Sequence, residues 1–341
     1  MLFVFIKKHS LVTHFFDGLD LGRDVRIVRY PYDRHGRLNS LLRSIEAYLL
    51  WWLPYSWCYD DAYLAQLRSI RPEDSVLYFS MENRKTLQLI RKFVRARRQS
   101  VWLWDPVRSY RKSWLSRLVY RLWLRHAGLE ACTFDPADAK AFGIGLAEQV
   151  FRHDPMPEDA TLVKDIDLYC LASGKGRLPE LVRWKELFEA HGLQTHFHVV
   201  ADRGQACSAR DAALVTSDWM SYPDNLRLVR RSKCILEILQ STQSGPTMRS
   251  LEALFHGCKL ITSNTLIVDC DFYHPSRVFV VGRDRPDDLR AFLETPLEPA
   301  SAELLRKHEL RSWLRQFDRE FDAVGDLAYD AAMNRATPEA A

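Results

Sequence analysis

The sequence predicts an α/β protein made of two successive parallel-sheet units. Short apolar runs alternate with amphipathic stretches, the alternation breaks once near the middle, and then it restarts. At 341 residues the chain exceeds one typical core, so two domains are expected. Hydrophobic residues at 47% beside charged residues at 27% indicate a globular chain.

In the first half, LFVFI (2–6), VRIVRY (ending at Tyr30) and SVLYFS (75–80) read as strands. NRKTLQLIRKFVRARR (83–98) reads as a helix and SVWLWD (100–105) as the next strand. ACTFD (131–135) is a further strand and leads into a helix at PADAKAFGI. The polar segment RHDPMPEDATLVKD (152–165), with two prolines, is the linker. IDLYCLAS (166–173) then reads as a strand ending at GKGR (174–177), followed by a helix over LPELVRWKELFEAHG and the strand THFHVVAD. SYPDNLRLVRRSK supplies a helix, CILEILQ (234–240) a strand, and RVFVVG (277–282) a later strand. Two Rossmann-like domains facing a cleft are expected, spanning 1–155 and 160–300. A C-terminal helix within 302–333 is expected to pack back across them, with a frayed tail after 334.

Charge is uneven. Residues 1–160 hold 25 Lys and Arg against 18 Asp and Glu, and the remainder holds 23 against 26. The stretch 84–125 carries 13 basic residues and one acid, Asp105, which points to an anionic partner. Seven cysteines with no CxxC spacing read as thiols in a reducing compartment. The start MLFVFIKKHS places apolar residues before the lysines, the reverse of a signal peptide. The longest apolar run, AYLLWWLPYSWCY (47–59), contains Pro54 and is too short to cross a bilayer. A cytoplasmic chain is expected, with a peripheral seat on the inner membrane face as an option.

The candidate site lies in QSGPTMRSLEALFHGCKLITSN (243–264). Pro246 fits a first helical position and Gly257 the residue past the helix end. Met248, Leu251 and Phe255 form the buried stripe, and Arg249, Glu252 and His256 repeat that spacing on another face. CILEILQ precedes the turn, which places the helix start at the carboxyl edge of a parallel sheet, where such sheets bind ligands. Backbone N–H groups at Gly245, Thr247 and Met248, with the helix dipole, favour an anion. A carboxylate farther along, Glu252, suits the vicinal hydroxyls of a ribose. Diphosphate and ribose together describe a nucleotide. A capped helix with a solvated charged face is the plainer alternative.

The order strand, Gly-containing loop, helix with R-x-x-E-A, Gly and a strand such as KLIT resembles the C-terminal domain of GT-B fold glycosyltransferases. NLRLVRRSKCILEILQSTQSGPTMRSLEALFHGCKLITSN with DCDFYHPSRVFVVG is similar to bacterial lipopolysaccharide, O-antigen and capsule sugar transferases. The resemblance covers roughly 160–295 and is only architectural over 1–150. It implies that Glu252 binds the donor ribose and that Gly245 and Thr247 face the donor diphosphate. Arg249 either neutralises phosphate or braces Glu252. Gly174 matches the small residue of the first donor-domain loop, where Lys175 and Arg177 add positive charge. Ser244, Met248 and Asn264 complete the expected donor set. Many retaining members carry a second Glu where Ser244 stands, which leaves the stereochemical outcome open.

Competing motifs are weaker. DID (165–167) and DCD (269–271) imitate metal-binding DxD, but Asp165 and Asp167 are expected to flank a strand, and Asp269 and Asp271 to hold a loop or the donor sugar. His196 and His198 share a strand face without a third ligand, so no metal site is expected. GKG (174–176) fits neither a P-loop nor GxGxxG. A base for the acceptor hydroxyl is sought after strands of the first half; His14 and Asp17 lead, with Asp20, Asp105 and Asp135 as alternatives.

RKSWLSRLVYRLWLRH (111–126) sets Trp114, Leu115, Leu118, Val119 and Leu122 on one side and Arg117, Arg121 and Arg125 on another. With Trp123, this reads as a basic amphipathic helix for an anionic membrane surface, or as a core helix with an exposed Arg row. No nucleic-acid motif accompanies the basic stretch. The expected function is transfer of a sugar from a nucleoside-diphosphate sugar to a saccharide or lipid-linked cell-surface acceptor, without a cofactor. A nucleotide-binding module without catalysis, or a nucleotide-sugar epimerase, are the alternatives.

Overall fold

The computed structural model describes residues 1–31, 37–154, 162–202 and 214–318. The chain forms two compact units. Among the described residues, one comprises 1–148 and 311–318 and the other 149–310.

The first unit is a six-stranded parallel sheet of β1 (Leu2–Ile6), β2 (Val25–Arg29), β3 (Ser75–Phe79), β4 (Arg98–Leu103), β5 (Glu130–Thr133) and β6 (Gly145–Leu146). Its strand order is β2-β1-β3-β4-β5-β6. The second unit repeats the plan with β7 (Ile166–Ser173), β8 (Thr195–Val200), β9 (Val215–Thr216), β10 (Ser232–Glu237), β11 (Lys259–Thr262) and β12 (Val278–Val280). Its order is β12-β11-β10-β7-β8-β9. Each unit is therefore the Rossmann-like α/β sheet that the alternation predicts. Every residue of β1 and of β3 is buried. Strands covered on both faces read as unbroken apolar runs rather than as alternation, which is why LFVFI and SVLYF are legible as central strands.

Two expected helices are shorter than their patterns. The helix expected over 83–98 spans only Arg84–Arg91, capped at its start by the Asn83 side chain accepting from the Thr86 amide. Phe93, Val94 and Ala96 are buried in the core of the sheet, and β4 begins at Arg98, two residues early. Core packing of those residues outweighs the helical periodicity of the arginines around them. The amphipathic stretch from 302 is two helices, Ala302–His308 and Leu310–Leu314. They separate at Glu309, which is extended and bridges to Phe151. Residues of that expected helix beyond 318, and the tail after 334, lie outside the described residues.

The core of the first unit is strongly aromatic on one side. Trp102 is fully buried, with ring centroids 4.9 Å from Phe79, 5.6 Å from Trp104 and 5.0 Å from Trp313. Trp313 comes from the returning C-terminal stretch, and its indole N–H donates to the Glu148 carbonyl at 2.9 Å. Part of the tryptophan surplus is thus structural. Trp123, expected at a membrane surface, is instead part of the core: it is buried against Tyr120, in a cluster apart from Trp102. It falls on the core side of its helix because that helix must bury one stripe on the sheet.

Removing the Trp313 ring leaves a large cavity among flat partners. Trp313→Ala is expected to lower the unfolding free energy of the first unit by about 3–5 kcal/mol, read as a shifted urea midpoint.

Candidate active site

In the second unit the chain runs from β7 outward to β8 and β9, then returns to β10 on the other side of β7. Loops leaving β7 and β10 diverge, and a crevice opens at the carboxyl ends of the two strands. A cavity of about 270 Å³ occupies this position. Its walls are the ends of β7 and β10, and into it come Arg177, Trp219, Thr247 and Arg249. The volume is at the low end for small-ligand pockets, which run from roughly 300 Å³ upward.

The loop after β7 is a tight turn. Lys175 and Gly176 both have positive φ, 40° and 76°, and the Arg177 amide donates to the Gly174 carbonyl at 2.7 Å. Two successive left-handed residues define a primed turn, which glycine adopts without cost and lysine does not. Gly174 has its own reason: a Cβ there would lie 3.0 Å from the Asp202 carboxylate. The turn sends Lys175 to solvent and Arg177 inward. The Arg177 guanidinium donates to the Ser173 carbonyl at 2.6 Å and to that of Ile238, tying the ends of β7 and β10. Its Nε is buried without a hydrogen-bond partner, and burial pushes its pKa down.

The loop after β10 ends at Thr247, not at Pro246. Thr247 is extended and its hydroxyl accepts from the Arg249 amide at 3.0 Å, so it caps the helix Met248–Phe255 and Pro246 stands one residue outside. Proline fits a first helical position, but the Thr247 cap satisfies an orphan N–H that proline leaves alone. At the other end Gly257 takes φ 56°, as expected of a residue just past a helix.

Glu252 is fully buried and does not line the cavity. One carboxylate oxygen accepts from the Asn225 amide at 3.1 Å and the other from the Arg249 guanidinium. Asn225 in turn accepts from the Tyr169 hydroxyl at 2.9 Å and from Arg249 at 3.3 Å. Of the two roles weighed for Arg249, the geometry places it as the brace of Glu252 and also as a cavity wall, about a fifth exposed. Burial opposes its charge, and the neighbouring Glu252 nevertheless holds its pKa above the ordinary value. Ser244, Gly245, Met248, Asn264, Gly174 and Lys175 do not line the cavity. Asn264 caps the following turn, its side chain accepting from the Leu266 amide. His256 shares the helix face of Glu252, but its ring packs against His153 and Phe151, and burial holds its pKa low.

Glu237 and Trp219 are among the cavity residues that the sequence reading missed. Glu237, the last residue of β10, is buried beneath the loop and accepts hydrogen bonds from the Thr247, Thr262 and Ser250 hydroxyls. Burial raises its pKa, and those hydroxyls partly offset the rise. Its signal was an acid inside the apolar run CILEILQ. Trp219 is 77% exposed at the cavity wall. A lone tryptophan in the polar stretch SDWMSYPD was the available clue.

The other candidates have structural partners. Asp165 pairs with Arg231 and Asp167 with Lys233, at the flank of the sheet. Asp271 pairs with Lys307 and His308, which hold its carboxyl well below the usual range, so it anchors the helix Ala302–His308. The His198 ring contacts the Asp218 carbonyl at 2.8 Å.

In the first unit the order reverses between β1 and β3. Lys7 follows β1 and pairs with Glu82 at 3.1 Å, and the Ser80 hydroxyl donates to the same carboxylate at 3.0 Å. Ser80 has φ 54°, an uncommon conformation for a residue with a Cβ. Asp17 caps the end of the helix Ser10–Phe16 and is ion-paired with Arg29, while His14 lies in the last turn of that helix, half-buried. Asp20 accepts from the Gly22 amide, Asp105 is exposed, and Asp135 is buried with Arg108.

No family model matches this chain, and no curated protein matches it. Among solved structures, it is similar to one described as the glycotransferase of kitacinnamycin, at 12% identity and a TM-score of 0.39, over 99% of each chain. A likeness this distant carries no functional weight.

A raised carboxyl pKa means that the fold holds the Glu237 proton more tightly than the unfolded chain does. That contribution is full below the ordinary value of 4.5 and fades as pH rises through the folded value. Glu237→Gln is therefore expected to raise Tm relative to the native chain near about pH 8 and to lose that advantage near about pH 4, by thermal melts across that range.

Proposed function

We propose that the second unit binds a nucleoside-diphosphate sugar and that the protein is a glycosyltransferase acting on a growing, lipid-linked cell-surface glycan. The observation that supports it is the cavity at the strand-order reversal, with two arginines and an exposed tryptophan in its walls. Arg177 and Arg249 supply cationic donors for a diphosphate, and the Trp219 ring supplies a face for a base. Glu252 keeps Arg249 oriented toward the cavity. In that buried state it contacts ribose only if the Arg249 pair opens, so its role here is positioning.

In the reaction the acceptor oxygen attacks the anomeric carbon and the bond to the diphosphate oxygen breaks. The leaving diphosphate takes the electron pair, and the arginines and the capped helix start stabilise its charge. The acceptor proton passes to a base, for which His14 and Asp17 remain the proposed groups. The chemistry calls on no cofactor.

Trp219 is exposed enough to be replaced without disturbing the fold. Trp219→Ala is expected to weaken binding of nucleoside diphosphates by about tenfold with an unchanged Tm, by calorimetric titration across a panel of bases. Arg177→Met is expected to weaken the diphosphates more than the corresponding nucleosides. Equal loss for both would remove the diphosphate assignment. Binding without turnover on any acceptor would support a nucleotide-binding module, and an isomerised sugar nucleotide an epimerase.

A further inference from the structure

We propose that the first unit docks on an anionic lipid bilayer through the helix Trp114–His126 together with the segment 49–57. An amphipathic helix in a water-soluble protein ordinarily turns its apolar stripe inward. This helix does so only with Tyr120, Trp123 and Leu124. A second apolar stripe faces solvent: Trp114 is 74% exposed, and Leu115, Leu118, Val119 and Leu122 are all more than two-fifths exposed. The sequence pattern alone left open whether this stripe was core.

A second set of exposed apolar groups follows the helix Arg37–Tyr48. Leu49, Trp51, Trp52, Tyr55 and Trp57 are each exposed. Tyr48, which immediately precedes the second set, and the helix Trp114–His126 line one groove. Tyr48, Leu115 and Val119 give it apolar lining, and Arg84, Lys85 and Arg111 line it with cations. The Arg84 guanidinium sits 5.4 Å from the Tyr48 ring centroid and 5.9 Å from that of the buried Trp123, so both rings hold the cation at the groove. Among the described residues, no acid lines the groove.

Charge selects the occupant. Arg84, Lys85 and Arg111 line the groove with no acid among its described lining residues, so a second copy of this surface would be repelled. Exposed Trp and Tyr beside Lys and Arg match the interface of a bilayer, where the rings sit at headgroup level and the cations meet anionic phosphates. Leu and Val at the centre of the face suit acyl chains better than a nucleic-acid backbone. No described helix is long and apolar enough to cross a membrane, so the geometry is that of a surface seat. This docking is independent of any nucleotide in the second unit.

The test is cosedimentation of the full chain with phosphatidylcholine vesicles, with and without phosphatidylglycerol. Binding to the anionic vesicles is expected to be about tenfold stronger and to fall with added salt. The triple variant Trp51→Ser, Trp52→Ser, Trp114→Ser is expected to lose about tenfold in vesicle binding with an unchanged Tm. Absence of native binding to anionic vesicles would overturn the proposal, as would full binding by the triple variant. A self-association abolished by the triple variant, without vesicle binding, would give the face to a second copy and overturn it too. Nucleotide titration of the triple variant reads the second unit separately.

Discussion

Parallel strands covered by helices on both faces leave chemistry one place to go. A polar group within such a sheet has no water and no spare partner, so acids and guanidinium groups collect at the strand ends. The second unit shows the consequence. Glu237 is the last residue of β10, Arg177 leaves the turn after β7, and Arg249 stands in the first turn of the helix after β10. The strand-order reversal supplies the space between them, because adjacent strands then send their chains apart.

Holding charges in that space requires that each be partnered. Arg249, Glu252, Asn225 and Tyr169 form one connected set, and the three hydroxyls around Glu237 form another. Buried ion pairs add little net stability, because desolvation offsets most of the attraction. Their effect is on position: the Arg249 guanidinium is fixed by two acceptors on different elements, and Thr247 serves both as helix cap and as donor to Glu237. Breaking one link leaves a buried charge or acceptor unsatisfied, which is why these side chains act as units.

The two units use surplus polarity differently. The second turns Arg177, Arg249, Glu237 and Glu252 inward, onto carbonyls, hydroxyls and one another around a cavity. In the first, the cationic excess of 84–125 lies beside exposed aromatic rings on the helix Trp114–His126 and the segment after Tyr48. Interior aromatic packing around Trp102 and exterior aromatic display around Trp51 and Trp114 account for much of the tryptophan content, by opposite means.

The sequence by itself determined the central strands and the class of fold. LFVFI, SVLYF and IDLYCLAS are apolar runs of strand length, and local pattern suffices to read a strand buried on both faces. It also located the turn at 174–177 and the helix that carries Arg249 and Glu252. Only the tertiary structure decided where the helix at 84 stops and that the stretch from 302 is broken, because long-range burial of Phe93 and the Phe151 bridge override helical period. It alone decided that Glu252 is enclosed, that Glu237 and Trp219 meet the cavity, and which stripe of Trp114–His126 faces water. Spacing fixes which residues share a face; what lies opposite that face depends on elements far away in the chain, and no local pattern encodes it.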